Sequence, residues 1–468
     1  MTIYRGGVED RRKLRVLIVA FTAVFAGSTA PVNAETLLEA MALAYSNNPR
    51  LQAQRASLRA TDEQFPQALS GHRPNVSITL EAGKSSTRTV GSTLTTKSNL
   101  SPRSGTITYQ QPIFRGLRTL FDTRRARATI KQARAQLVAV EQDILFQTVT
   151  AFMNVVRDQA VLQLNISNEQ VLRRQLRATR DRFQVGEVTR TDVSQAQARV
   201  AQAQATRTQA EGTLQISRAN YRRIVGRVPG KLRKESRSIR LPGALPGVIA
   251  VTTREAPNLI AARYGEIAAR HNVKLIAGEL LPQINLNASL SRSLGTSSRS
   301  SRNSSGRITG QLVIPLYQAG LTSSRIRQAK QIALQRHQDI IEARRVAIEA
   351  ATQAWHALKT AQAQIRAFQS AARANAIALD GVRQEAAAGL RTVLDVLDAE
   401  QELLDARVNL VRAERDEFVA AFQVYQAMGR LTAVNLKLPV RKYDPTSYNR
   451  RVKYLPWGPA PSGSYYSK

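Results

Sequence analysis

The fold is decided by the sequence VGEVTRTDV at residues 185–193, which interrupts a long helical pattern. Glycine readily adopts the left-handed backbone that ends a helix, and the threonine and aspartate that follow can restart one. A related sequence, AGLRTVLDV, occurs at residues 388–396. We therefore predict two helical hairpins with tips at residues 186–191 and 389–394, the second hairpin running over about 320–430.

The two tips belong to a duplication that extends over most of the chain. Two upstream prolines, Pro49 and Pro74, recur 208 positions later as Pro257 and Pro282. A period of about 200 residues is too long for a solenoid and indicates one duplicated folding unit. Five further residues recur 203 positions later, namely Pro112 as Pro315, Phe152 as Trp355, Gly186 as Gly389, Asp192 as Asp395, and Gly226 as Gly429.

The sequence on either side of each tip has the composition and spacing of a coiled coil. Residues 113–228 and 316–438 contain no proline and are rich in Ala, Gln, Arg, Glu and Leu, which favour helices. Apolar residues recur there at alternating steps of three and four. We predict a long helix over about 117–185, a return helix over about 189–227 and a shorter helix over about 35–65, with the same arrangement in the second repeat.

Four segments alternate apolar and polar residues and therefore predict β-strands. They form two pairs, near 74–113 and 282–316, and the Ser/Thr-rich stretches inside the pairs, 84–104 and 291–305, are expected to be loops. Such alternation is typical of transmembrane strands, although a soluble hairpin shows it too. Four strands cannot close a barrel, and an open sheet edge is not tolerated in lipid. A barrel shared by several chains, continued by a helical tube, fits the pattern best.

The ends of the chain differ in composition from the repeats. Residues 1–34 have a basic start, a short apolar run and a small-residue cleavage site, so we predict a signal peptide, with an uncleaved anchor as the alternative. The repeats are assigned to 35–230 and 255–430, with a linker at 231–254. Residues 431–468 are predicted to be a flexible basic tail.

The charge balance is strongly basic, with a formal net charge of +34. We nevertheless predict no nucleic-acid partner, because the arginines are scattered along helices and an exported protein rarely meets nucleic acid. Anionic lipopolysaccharide, or solvation alone, accounts better for the charge. The chain has no cysteine and its four histidines lack ligand spacing, so no disulfide and no metal site are expected. In the absence of nucleotide-binding or catalytic motifs we predict no cofactor and no enzyme activity.

The two tip sequences resemble those of the TolC family of outer-membrane efflux and secretion channels. The strand-to-helix corners QPIF at 111–114 and IPLY at 314–317 resemble that family as well, and the likeness covers about 35–430. The resemblance implies a mainly α fold with a small β part, in which a homotrimer forms a β-barrel in outer-membrane lipid, continued by a periplasmic α-helical tunnel. It also implies a periplasmic adaptor and an inner-membrane pump or ABC transporter as partners, which together export drugs or proteins.

The tips supply the candidate site. A symmetric assembly would place Asp395 and Asp398 in two rings near the tunnel axis, where carboxylates attract cations and form a pore constriction. Arg391 could pair within its own helix or with Thr191 and Asp192 of the neighbouring hairpin, and such a gate network would hold the tip closed. Asp192 and Asp395 could instead be ordinary first-turn acids that the helix dipole favours.

The resemblance implies that the adaptor docks on the tips, at Val185, Gly186, Gly389 and Leu390. Each glycine could instead be a plain helix cap. In the family an aromatic residue often precedes the second-repeat glycine by three positions, and this chain has Ala386 there.

A second function class competes with the channel. An exported, Arg-rich coiled-coil scaffold could bind anionic polymers without forming a pore. The amphipathic strands discriminate between the two, because such a scaffold has no use for them.

Overall fold

A computed structural model describes residues 35–230, 232 and 241–458. The predicted signal peptide and most of the first half of the predicted linker therefore lie outside the described residues. None of the helices in the described part combines the length and the apolar character that a membrane span requires.

The first repeat is built from three short helices, four strands and one long helical hairpin. The hairpin helices α4 and α5 have 67 and 36 residues, so α4 is about 100 Å long. The elements are α1 Leu37–Asn47, α2 Pro49–Asp62, α3 Gln64–Leu69, β1 Asn75–Ala82, β2 Ser85–Val90, β3 Thr95–Leu100, β4 Arg103–Arg115, α4 Arg118–Gln184 and α5 Arg190–Val225.

The second repeat follows the first with the offsets seen in the sequence. Its long helix has 67 residues, as α4 has. The elements are α6 Leu245–Glu255, α7 Pro257–Ala277, β5 Gln283–Leu294, β6 Arg302–Val313, α8 Leu321–Ala387 and α9 Val393–Ala427, followed by α10 Ser447–Val452 in the C-terminal segment.

The predicted helix over about 35–65 is broken into α1, α2 and α3. Pro49 disfavours a helical backbone at Asn48, which is extended with φ −65° and ψ 123°. The side-chain nitrogen of Asn48 donates to the backbone carbonyl of Ile224, near the end of α5, at 2.9 Å. The side-chain oxygen of Asn48 accepts from the backbone amide of Arg50 at 3.0 Å. Asn48 therefore caps α2 at the break and connects the short helices to α5 of the helical hairpin.

The predicted linker at 231–254 contains most of helix α6, which is the counterpart of α1. Val248 is fully buried in a cluster with Trp355 of α8 and Val424 of α9. Pro246 and Gly247 hide the helical pattern, but proline is favoured in the first turn of a helix. The second repeat thus begins about ten residues earlier than the sequence indicated.

The C-terminal segment differs from the expected flexible tail over its described part, 431–458. Leu431 and Ala433 are fully buried in the main core cluster, and the Ala433 amide donates to the Glu141 carboxylate at 2.8 Å. Further along, the Arg73 guanidinium donates to the carbonyl of Leu455 at 2.9 Å. Buried apolar side chains and backbone hydrogen bonds hold this segment against the first repeat.

The sheet is four-stranded and antiparallel, in the order β1, β4, β5, β6. The stretch 84–104, expected to be a loop, contains the separate hairpin of β2 and β3, whose Thr residues favour extended backbone. The second expected loop, 291–305, shrinks to 295–301 because β5 and β6 extend into it. Both strand pairs therefore reach further from the helices than predicted.

Candidate functional site

Both hairpin tips turn on a glycine with the same left-handed backbone. Gly186 has φ +81° and Gly389 has φ +80°. In each turn the next residue closes back on the long helix, with the Glu187 amide donating to the Arg182 carbonyl and the Leu390 amide donating to the Glu385 carbonyl, both at 2.9 Å. This is the glycine-ended helix termination that the sequence pattern indicated.

The return helices begin with matching capping boxes. At the first tip the backbone amide of Thr189 donates to the Asp192 carboxylate at 2.9 Å, and the Asp192 amide donates back to the Thr189 hydroxyl at 3.3 Å. Thr392 and Asp395 repeat both bonds at 2.9 and 3.3 Å. Each aspartate is therefore a first-turn acid, as the alternative interpretation had it, and in addition closes a capping box; both side chains stay partly exposed.

The hydrogen bonds of the Thr392–Asp395 capping box also favour the ionised form of Asp395. The backbone and side chain of Thr392 hold the pKa of Asp395 below its usual value, and the nearby Arg391 guanidinium adds to the effect. Asp395 therefore stays ionised in mildly acidic solution.

Arg391 pairs across its own turn. Its Nε donates to the Glu385 carboxylate at 2.9 Å. In the described part of a single protomer it makes no contact with Thr191 or Asp192, so a gate bond to the neighbouring hairpin stays a prediction that concerns other protomers.

Asp398 links the two hairpins of one chain. Nη2 of Arg199 on α5 donates to Oδ1 of Asp398 on α9 at 2.5 Å. Arg199 was not predicted from the sequence. The contact depends on how far the two hairpins are displaced along each other, and the sequence of neither hairpin indicates this displacement. The predicted constriction residue is therefore also a cross-hairpin contact.

An apolar contact lies beside this ion pair. Val393 and Leu397 of α9 are buried against Leu172 and Leu176 of α4 and against Val200 of α5. This cluster fixes the first turns of α9, next to the second tip, against the first hairpin.

The residues predicted to dock an adaptor lie at the exposed tips. Val185 is 71% exposed and Leu390 is 77% exposed. A Cβ added to Gly186 or Gly389 would meet no atom within 4 Å, so both tips present open surface.

At the other end of the molecule, the sheet separates its side chains by polarity. Alternate rows across the strands place apolar residues on one face, and the rows between them place polar residues on the other. Two apolar rows are Val76, Tyr109, Ala288, Ile308 and Ile78, Ile107, Leu290, Gly306. The polar row between them is Ser77, Thr108, Ser289, Arg307.

The apolar face is uncovered in the single chain. Val76, Ile78 and Leu80 are 59%, 66% and 79% exposed. Within the described residues β1 and β6 each pair on one side only, so both edges of the sheet are open. Exposed apolar faces and open strand edges of this kind are typical of surfaces that contact a membrane or a partner.

Comparison with known proteins decides the family. The family model described as outer membrane efflux protein matches residues 40–227 and 249–430. The chain belongs to this family. It is an outer-membrane protein with helical hairpins that extend into the periplasm, it is related to channels, and it is not an enzyme.

Relatives extend over nearly the whole chain. The outer membrane efflux protein BepC of Brucella suis biovar 1 (strain 1330) is 33% identical over 425 residues, which cover 90% of this chain and 91% of BepC. The outer membrane protein TolC of Vibrio cholerae serotype O1 is 28% identical over 451 residues, covering 92% of this chain and 100% of that protein. The resemblance noted in the sequence is thereby confirmed.

The fold is also that of solved channels. The crystal structure of the CmeC outer membrane channel of Campylobacter jejuni matches with a TM-score of 0.76 at 16% identity, covering 86% of this chain and 88% of that one. At this identity the likeness concerns the fold, and it confirms the predicted fold class of long helical hairpins with a small sheet.

Proposed function

We propose that three copies of the chain form an outer-membrane channel that exports drugs or proteins. Each copy contributes four strands to one twelve-stranded barrel and its helices to a periplasmic tunnel. The chain has no nucleotide-binding motif, so the channel is a passive duct and an inner-membrane pump or ABC transporter, joined by a periplasmic adaptor, supplies the energy.

The observation that carries this proposal is the open, two-faced sheet. β1 and β6 run in opposite directions, because each of the three pairings between them is antiparallel. β1 of one copy can therefore continue the antiparallel ladder on β6 of the next, which removes every edge once the ring closes. The apolar rows then face lipid and the polar rows line the lumen.

The helices support the same assembly. α8 leaves apolar side chains exposed over several turns, with Leu334 at 55% and Val346 at 51%. Rows of exposed apolar residues on a long helix indicate a partner surface, and neighbouring protomers would cover them in a closed ring. A pore-free scaffold leaves both this helix face and the apolar face of the sheet unexplained.

We further propose that the periplasmic tips form the gate. In a three-fold ring Asp395 and Asp398 form the constriction, and Arg391 of one hairpin faces Thr191 and Asp192 of the neighbouring protomer. Single exposed charge pairs are worth about 0–1 kcal/mol, so the lock relies on three-fold repetition. The adaptor docks on the adjacent exposed surface around Val185, Gly186, Gly389 and Leu390.

Single-channel recording in a planar lipid bilayer tests the duct. The detergent-purified trimer should give discrete, long-lived steps with cation preference. If the wild type is silent, Arg391→Ser should restore steps by loosening the tip. Silence of a verified, folded Arg391→Ser oligomer would contradict the channel.

The constriction has its own test. Asp395→Ala together with Asp398→Ala should weaken block by multivalent cations that enter from the tip side. The matched control is Asp181→Ala together with Glu187→Ala, which removes two exposed carboxylates from the first tip, outside the constriction and the gate network, and should leave the block unchanged. Equal block in both double variants would remove Asp395 and Asp398 from the pore.

A further inference from the structure

The far end of the apolar sheet face carries three arginines. Arg103 pairs with Leu294, and Leu294 pairs with Arg302 on its other side, so these three residues share one row. Arg292 precedes Leu294 by two positions on β5 and therefore points to the same face. All three arginines are exposed.

The face they share is the apolar one. The row of Arg103 also contains Ala82, and the row of Arg292 contains Leu80, which is 79% exposed. Two positions below Arg292 lies Leu290, which is 60% exposed. Charged side chains on a lipid-facing surface are destabilising at the bilayer centre and tolerated near its interfaces. The arginines therefore mark the level of the lipid head groups.

The spacing allows the arginines to act together. Arg292 is the diagonal neighbour of both Arg103 and Arg302, and such neighbours are about 7–8 Å apart, within reach of long side chains. Guanidinium groups bind phosphate through two parallel hydrogen bonds and retain their charge at all physiological pH values. The guanidinium groups of Arg103, Arg292 and Arg302 therefore surround the apolar side chain of Leu294 and form a positively charged cluster on the apolar face.

The surrounding sequence offers these arginines little internal compensation. Glu81 is the only acid in residues 75–115 and 283–313. It lies one row away on the opposite face, where the Ser104 hydroxyl donates to it at 3.3 Å. Within the described residues none of the three arginines has an ion pair.

A second observation at this end of the molecule also indicates an anionic neighbour. In the hairpin of β2 and β3, Arg88 stands directly opposite Lys97. Like charges in opposed positions destabilise a strand pair, and an anion bound nearby relieves this repulsion.

The membrane level of this end follows from the chain path. The helices join the sheet at Asn75, Arg115, Gln283 and Val313, and the three arginines lie at the opposite end of the strands. With the helices in the periplasm, that end faces the exterior, where the outer leaflet presents the phosphates of lipopolysaccharide.

We propose that Arg103, Arg292 and Arg302 form a binding site for the lipid A phosphates of lipopolysaccharide. The guanidinium groups hold the phosphate, and Leu80, Leu290 and the neighbouring apolar rows contact the acyl chains. This inference rests on the proposed barrel, because it needs the apolar face to be the lipid-facing one. It also gives part of the large positive charge a location and a partner.

Native mass spectrometry of the delipidated, detergent-purified trimer with bisphosphorylated lipid A tests the site. Replacing all three arginines by Gln should weaken binding about tenfold or more, because the variant loses the charge-assisted hydrogen bonds between guanidinium groups and phosphate. Lipid A with both phosphates removed should bind the wild type as weakly as the triple variant binds the intact lipid.

The matched control compares the two faces of the sheet. Arg292→Gln and Arg307→Gln each remove one exposed strand arginine, from the apolar and the polar face respectively. Only Arg292→Gln should weaken binding. Equal weakening in both, or equal binding of the dephosphorylated lipid, would overturn the site.

Recording from the same preparations separates this proposal from the channel itself. If wild type and triple variant both conduct and both bind lipid A equally, the arginine site is wrong and the channel stands. If the folded wild-type and Arg391→Ser oligomers do not conduct, the lipid-facing premise fails and both proposals fall.

Discussion

The two repeats follow the same chain path but make different contacts. α4 and α8 have the same length, and the tip glycines have φ angles of +81° and +80°. Yet Asp398, which pairs with Arg199, has Gln195 as its counterpart in the first repeat. Duplication thus preserved the features that local sequence controls, while contacts between the repeats diverged. Three comparisons between counterpart positions test how far this divergence extends.

The largest difference is expected at the glycines that end the return helices. Gly226 has φ +90° with open space around an added Cβ, whereas at Gly429, with φ +77°, a Cβ would collide with the backbone carbonyl of Glu255. Gly226→Ala should cost about 1–2 kcal/mol for the left-handed backbone alone. Gly429→Ala should cost about 3 kcal/mol or more, because a backbone atom cannot move aside cheaply.

Thermal unfolding followed by helical circular dichroism measures both variants. The melting temperature of Gly429→Ala should fall clearly further than that of Gly226→Ala. Equal decreases would show that the backbone of α6 at Glu255 moves to make room for the added methyl group, so that the two substitutions destabilise the protein to the same extent.

A smaller difference is expected at Asp62, whose counterpart is Arg270. The Asp62 side chain is 1% exposed and its nearest cation, Arg134, lies at 3.8 Å, whereas Arg270 is 67% exposed. Burial raises the pKa of Asp62 to about 6, and Arg134 only partly offsets this. A carboxyl whose pKa is higher in the folded state binds its proton more tightly there, so stability falls as the pH rises from about 4 through about 6.

Asp62→Asn removes this ionisation. Relative to the wild type, the variant should therefore gain about 1–2 kcal/mol of stability between pH 5 and pH 7.5. The check is the difference in melting temperature between the two proteins at these pH values, with Arg270→Gln as the exposed control. A pH-independent difference for Asp62→Asn would mean that Asp62 is ionised throughout.

The smallest effect is expected at the ion pair of Arg199 and Asp398. Its side chains are 37% and 51% exposed, so a double-mutant cycle should give a coupling of about 0–1 kcal/mol, decreasing in about 1 M salt. The counterparts Glu402 and Gln195 supply the control cycle, which should show no coupling. A coupling above about 2 kcal/mol in the wild-type pair would mean that the pair is desolvated.

The sequence predicted the hairpins closely. The expected helices over about 117–185 and 189–227 are observed as Arg118–Gln184 and Arg190–Val225. The tips were predictable because Gly186 and the pair of Thr189 and Asp192 act on their own neighbouring backbone. The family resemblance was confirmed for the same reason, since these local motifs carried it.

The elements that were missed depend on distant contacts. The helix α6 begins with Pro246 and Gly247, which do not favour a helix by their local sequence. It is stabilised because Val248 packs against α8 and α9. The C-terminal segment is polar in composition, yet Leu431 and Ala433 are buried by the first repeat. The composition of a segment describes only its own residues, whereas its structure also depends on which distant residues pack against it.

The hairpin tips and the alternation of the strands could be predicted from the amino-acid sequence, because each depends on residues a few positions apart. The duplication could be recognised there too, because the same residues recur about 200 positions later. The ion pair of Arg199 with Asp398 and the burial of Asp62 become apparent only in the folded protein. The same holds for the position of Arg103, Arg292 and Arg302 on one face of the sheet. These contacts depend on helix offset and strand register, which are set by packing between segments that lie far apart in the chain.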